Sequence, residues 1–190
     1  MKGRIASSCD PLFRVTIMSR IPSIYKPRRA MAAEIPRFGF DLGDLLAAKL
    51  KVLPDPKGRP VGVWVEPAAT LAFIAPSDDR VDIVIHSLLN HEDTPMEVIE
   101  HILIHELIHL RVGSRMIDGK KVRHPPEFWT MERQVSPNAE MAMAWVFRAF
   151  PSVLRHDKEE EKIWVKGNWW EVAHGPRSLL LEGQWGWSRP

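Results

Sequence analysis

The chain has 190 residues, 45% of them hydrophobic, and a formal net charge of +2 at pH 7, enough for one domain with its own core plus extensions. No apolar run approaches the ~18 residues of a membrane span, and the first residues show no apolar segment ending in a small-residue cleavage site, so neither a membrane protein nor a secretory signal is expected. One cysteine, Cys9, excludes a disulfide framework and a cysteine-only metal site and points to a reducing, cytoplasmic compartment.

Residues 1–40 hold eight Lys/Arg against Asp10 and Glu34, an excess of six positive charges that leaves the remainder net negative. Prolines interrupt this stretch and no period is sustained. Residues 1–34 are therefore expected to form a basic, extended arm, most simply a solvated tail, with a weak attraction for nucleic acid or another polyanion as the alternative.

The folded part is expected over residues 35–151. Residues 40–50 read as a helix that stops before Pro54-Asp55-Pro56. Val61–Glu66 and residues 70–75 read as strands on either side of a turn at Pro67. Residues 81–88 read as a third strand in which Asp82 and His86 alternate with apolar residues, which predicts His86 facing solvent or a cleft. The sheet edge near 81–86 offers a place where an extended substrate can add as a strand.

The next helix announces its start through Thr94 and Glu97, spaced as a capping box, with Pro95 at the first helical position. Gly113 is the expected left-handed stop. Apolar residues cover most of its circumference, as in a helix inside a domain. Its polar exceptions Glu97, His101, His105 and His109 are four apart and form one stripe, with Glu106 at the edge. Within it lies His105-Glu106-Leu107-Ile108-His109. Two histidines at i and i+4 share a helix face at a spacing that suits one zinc ion, about 2.0–2.1 Å from each nitrogen. The intervening glutamate can then take a proton from a water at the metal. His101 is expected to be an incidental core histidine satisfied by hydrogen bonds, or to support the site, rather than to ligate.

A catalytic zinc commonly has three protein ligands and one open position. The metzincin continuation is excluded, because Val112 and Arg115 stand where it needs glycine and histidine. After a turn at Asp118-Gly119-Lys120-Lys121, the best third ligand is His124, with Glu127 as its rival and Asp118 behind both. Pro125 and Pro126 allow a helix only from that point on, so His124 is expected just ahead of a helix over Pro126–Val135 whose Phe128 and Trp129 anchor it. A further helix over 137–150 is expected to be capped by Ser136 and to turn Met141, Ala142, Trp145, Val146 and Ala149 inward.

Pro151 is expected to end the compact part, leaving residues 152–190 as a Trp-rich extension. The charge run 155–162 reads as a solvated linker, and Gly167-Asn168 between aromatic runs reads as the turn of a hairpin. Five of the eight tryptophans (Trp164, Trp169, Trp170, Trp185, Trp187) lie here, more in keeping with packing onto the domain or a second subunit than with stacking on bases. His174 reads as a turn residue.

The motif over 105–109, followed after a spacer by His124, Phe128-Trp129 and Glu132-Arg133, resembles the SprT-like and YgjP-like zinc metallopeptidases over roughly residues 40–150. The strand ahead of the helix fits their layout. The resemblance implies a minimal zincin-type domain of gluzincin kind. It implies zinc held by His105, His109 and His124, Glu106 as general base, and a protein or peptide substrate. The chain departs from the family in a long spacer between His109 and His124 and in having no cysteines for a four-cysteine zinc ribbon. The expectation is an α+β domain, a small mixed sheet packed on a buried catalytic helix, acting as a zinc metallopeptidase. A zinc-dependent hydrolase of a non-peptide substrate and a zinc-stabilised nucleic-acid-binding protein are the alternatives.

Overall fold

Asp41 starts the first helix. Its Oδ1 accepts the Asp44 N–H at 2.8 Å, and α1 (Leu42–Val52) then runs to the proline-rich turn. This helix opens an α+β domain in a computed structural model that describes residues 33–158 and 161–173. The arm up to residue 32, with Cys9, and the tail from His174, with Trp185 and Trp187, lie outside the described residues. Glu34, expected in the arm, already contacts the domain, since its N–H donates to the Val65 carbonyl at 2.7 Å.

Strands β1 (Val61–Glu66), β2 (Ala72–Pro76) and β3 (Val81–His86) form one mixed sheet in the order β1-β3-β2. β1 lies parallel to β3 with Val61 opposite Val81, and β2 lies antiparallel with Ile74 opposite Ile83. The strands are those expected, but the Pro67 turn does not pair the first two, because β3 enters between them. The reason is burial. Val81, Ile83, Val84 and Ile85 are all almost fully buried, and the most apolar strand takes the place with a neighbour on each side. The 81–86 segment is therefore no sheet edge. Among the described residues β2 is the terminal strand on that side.

Helix α2 (Met96–Ile108) packs against β2 and β3, and α1 flanks it. Val98, Ile99, Leu103 and Ile108 have no exposed surface, as its apolar circumference predicts. Its ends differ from expectation. The Thr94 hydroxyl donates to the Leu89 carbonyl at 2.7 Å instead of capping, so no capping box forms. Gly113 is not left-handed; among the described glycines only Gly58 and Gly119 are.

A hairpin of β4 (Arg115–Ile117) and β5 (Lys120–Val122) follows. Asp118 (φ 49°) and Gly119 (φ 75°) supply the two positive φ values that a tight two-residue turn needs. Helix α3 (Pro126–Val135) has the expected bounds, and α4 (Ala139–Ala149) packs Ala142, Trp145 and Val146 onto α2. Met141 is exposed, and Ser136 does not cap α4 but hydrogen-bonds the His101 ring.

Pro151 does not end the packed part. β6 (Leu154–Asp157) pairs antiparallel with β7 (Lys162–Val165), and α5 (Trp169–Ala173) follows. Val153, Leu154, Trp169 and Ala173 belong to the same core as the sheet. The hairpin thus forms one strand earlier than expected, with its turn in the charge run. Gly167 leads into α5 rather than turning a hairpin, because it lacks the positive φ that such a turn requires. Backbone bonds from Leu71 N–H to Ile163 and from Val165 N–H to Ala69, each 2.9 Å, tie β7 to the segment entering β2. Among the described residues no helix is long and apolar enough to cross a membrane.

His86 corrects another expectation. It has no exposed surface, its Nδ1 accepts the Leu88 N–H at 2.8 Å, and Trp169 of α5 meets its ring edge-on at 4.8 Å. Alternation within β3 cannot reveal that a helix 80 residues later covers that face. Burial pushes the His86 pKa down to about 4 from the ordinary 6.5. An unfolded chain therefore binds this proton more readily than the folded one. The stability that the neutral ring contributes is present above pH 6.5 and is lost as pH falls towards 4. His86→Asn keeps an acceptor but does not titrate. The stability advantage of the parent over this variant, measured by denaturation of metal-free protein, is expected to shrink between pH 6.5 and pH 4. An advantage that stays flat across that range would contradict a buried neutral His86.

Candidate metal centre

α2 brings His105 and Glu106 to the floor of a cleft of about 900 Å³, with His109 at the helix C-terminus one turn later. The backbone of His109 is still helical (φ −59°, ψ −21°), so the i, i+4 geometry holds to the last residue that needs it. His124 arrives from the opposite side, immediately before Pro125 and α3. The three rings form a near-equilateral triangle with centroids 5.2, 4.9 and 4.9 Å apart. Fully buried Phe128 closes one side of it, with its centroid 4.9 Å from His105, 4.7 Å from His109 and 4.5 Å from His124. Phe128 is thus the expected anchor, while Trp129 is only half-buried and packs on His124 at 5.2 Å.

Hydrogen bonds decide which nitrogens face inward. His105 Nδ1 lies 2.8 Å from Glu132 Oε1, and His124 Nδ1 lies 2.8 Å from Glu161 Oε2. A carboxylate only accepts, so each Nδ1 carries the proton and each Nε2 keeps its lone pair. His124 Nε2 is 3.1 Å from His109 Nε2. Two nitrogens about 2.0–2.1 Å from one tetrahedral ion sit roughly 3.3 Å apart, so this approach is close to the spacing that a shared ion requires. The ligand atoms of His105, His109 and His124 all lie within 4.8 Å of one another, a set that can hold a metal ion.

Burial keeps this cluster in the protonation state that a metal needs. It pushes His105 and His109 down to about 3 and His124 below its ordinary value. Neutral imidazole is the ligating form. Burial pushes Glu106 the other way, to about 8, with Arg123 opposing the rise. Glu106 is buried, and its side chain lines the same cleft as the three histidines.

The rival ligands are not in this cluster. Glu127 pairs with Arg115 at the surface, and Asp118 occupies the tip of the β4–β5 hairpin. A second group, His101, His105 and Glu132, also has metal-ligand spacing, but it shares His105 and is already hydrogen-bonded. His101 Nδ1 meets Ser136 Oγ at 3.0 Å, and Glu132 holds His105. His101 is thus a buried histidine with a hydrogen-bond partner outside the three-histidine cluster. Burial raises the Glu132 pKa, and the positive charge that nearby histidines can carry opposes this. Sequence reasoning noticed Glu132 only as part of a resemblance, although its place one helical turn after Phe128 puts it on the same side of α3. It missed Glu161 altogether, since nothing local separates that residue from its charged neighbours.

Comparison with family models, curated proteins and solved structures finds no match. The site therefore stands on its own geometry.

Full-length protein is expected to bind about one zinc ion, as one tetrahedral site allows. Metal analysis after dialysis is expected to show His124→Ala losing most of that zinc and Glu127→Ala keeping it. Full zinc content in His124→Ala would remove His124 from the ligand set.

Proposed function

We propose that this chain is a zinc-dependent hydrolase that cleaves peptide bonds, of the kind its motif resembles, the SprT-like and YgjP-like metallopeptidases. The observation that carries the proposal is the convergence of three neutral imidazoles beside a buried glutamate on the floor of one open cleft. His105, His109 and His124 would hold the ion. Bound there, zinc supplies a Lewis acid that polarises the scissile carbonyl and makes water more acidic. Glu106 takes the proton of the attacking water and returns it to the leaving amine. Its place in the same cleft as the three histidines suits a group that must carry that proton between the two steps. Phe128 keeps water away from one side of the cluster, and Glu132 holds the His105 ring.

Two features favour a peptide over a small non-peptide substrate. The cleft is long enough to be lined by residues from the entry to β2, from α2, α3 and α4, and from β7. Its wall at Ala72 and Ile74 belongs to β2, the terminal strand of the sheet among the described residues, and extended peptides bind by aligning with such strands. The enzyme is proposed to work in the cytoplasm. The basic arm over residues 1–34 is proposed as a weak, salt-sensitive contact with nucleic acid.

Glu106→Gln keeps the shape of the side chain and removes the proton acceptor. A folded, zinc-loaded variant is expected, with hydrolysis reduced by at least ~10²-fold, the low end for general-base catalysis. The assay is a quenched-fluorescent peptide library, run with and without single- and double-stranded DNA. Parent-like cleavage by the variant contradicts the mechanism. A nucleic-acid-binding role that survives the substitution, in a parent that cleaves nothing, would favour the zinc-stabilised binding protein instead.

A further inference from the structure

We infer that Glu161 is a positioning residue of the metal centre: the β6–β7 hairpin delivers its carboxylate to His124 and sets the ring so that Nε2 faces the ion. This rests on the zinc reading above. It adds that the segment beyond Pro151 is a working part of the site.

The backbone on either side of His124 is already stiff, since Pro125 and Pro126 follow it and α3 begins there. What remains free is the rotation of the imidazole. Phe128 and Trp129 pack on its faces, and neither can tell Nδ1 from Nε2. Glu161 Oε2, 2.8 Å from Nδ1, makes that distinction by accepting the Nδ1 proton. His124 is buried, so little water can substitute for this contact. His105 is held in the same way by Glu132 from α3. Two of the three ligands thus carry a carboxylate on the nitrogen away from the ion, a pattern that orients the ring and raises its basicity.

The backbone of Glu161 points to the same role. Its φ is +50°, in the left-handed region that glycine adopts freely and a long side chain does not. Asp118 is the other described non-glycine residue with positive φ, and it sits at a tight hairpin turn, as aspartate often does. Local stability at position 161 favours glycine. The carboxylate is what glycine cannot supply. The carrier of that carboxylate is fixed. β7 is bonded to residues 69 and 71, and Leu154 at the start of β6 is buried in the core.

These two demands on one residue pull in opposite directions, and that makes the inference testable on the full-length protein. Zinc affinity is measured by competition with a chromophoric chelator, and the melting temperature is measured on metal-free protein, for the parent, Glu161→Gly and Asp118→Gly. Glu161→Gly is expected to bind zinc about 10–100-fold more weakly, the usual effect of losing such a partner, while it still folds cooperatively without metal. Asp118→Gly relaxes the backbone in the same way at a turn that does not line the cleft and is expected to keep the parent's zinc affinity. Unchanged affinity in Glu161→Gly overturns the inference. So does a Glu161→Gly protein that fails to fold without metal, which would make Glu161 merely structural. Equal weakening in Asp118→Gly overturns it as well. A parent that binds no zinc at all ends both this inference and the zinc reading beneath it.

Discussion

A helix buried around most of its circumference must find partners for every ionisable side chain it carries, because an unpaired polar group in such a place is costly. α2 carries His101 and Glu106 buried and His105 half-buried, with His109 half-buried at its C-terminal cap. The rest of the site can be understood as the answer to that demand. α3 supplies Glu132 to His105 and, just before its first turn, His124 to the shared centre. Ser136, between α3 and α4, supplies an oxygen to His101. The β6–β7 hairpin supplies Glu161 to His124. What is left over is three imidazoles at metal-ligand spacing beside buried Glu106, a set that could hold a metal ion.

Features set by contacts within a few residues could be read from the sequence. The bounds of α3 follow from Pro126 at its first position, and the β4–β5 turn follows from Asp118-Gly119. The helical pair His105/His109 is legible because the 3.6-residue repeat alone places both rings on one face. His124 was legible as a candidate through the prolines that fix it ahead of a helix. The choice between it and Glu127 needed the structure, which sends Glu127 outward to Arg115.

Features set by distant partners could not be read in this way. Thr94 and Ser136 both have the chemistry of a helix cap, but each hydroxyl finds a nearer oxygen or nitrogen once the chain is folded, at Leu89 and His101. Strand pairing depends on which strand is most deeply buried, so the insertion of β3 between β1 and β2 has no local signature. His86 looked amphipathic until Trp169 covered it. Glu161 is one of several acids in a charged run, and only the hairpin places it beside His124. The expected domain boundary at Pro151 failed for the same reason, because Leu154 and Trp169 reach a core built from residues far earlier in the chain.

The central claim is that His105, His109 and His124 share one ion. It is tested most directly by crystals of zinc-loaded protein measured on both sides of the zinc absorption edge. The account predicts one strong anomalous peak per chain, about 2.0–2.1 Å from the Nε2 atoms of those three histidines. A peak ligated instead by His101 and Glu132, a site completed by Glu127, or no peak in fully loaded protein would contradict it.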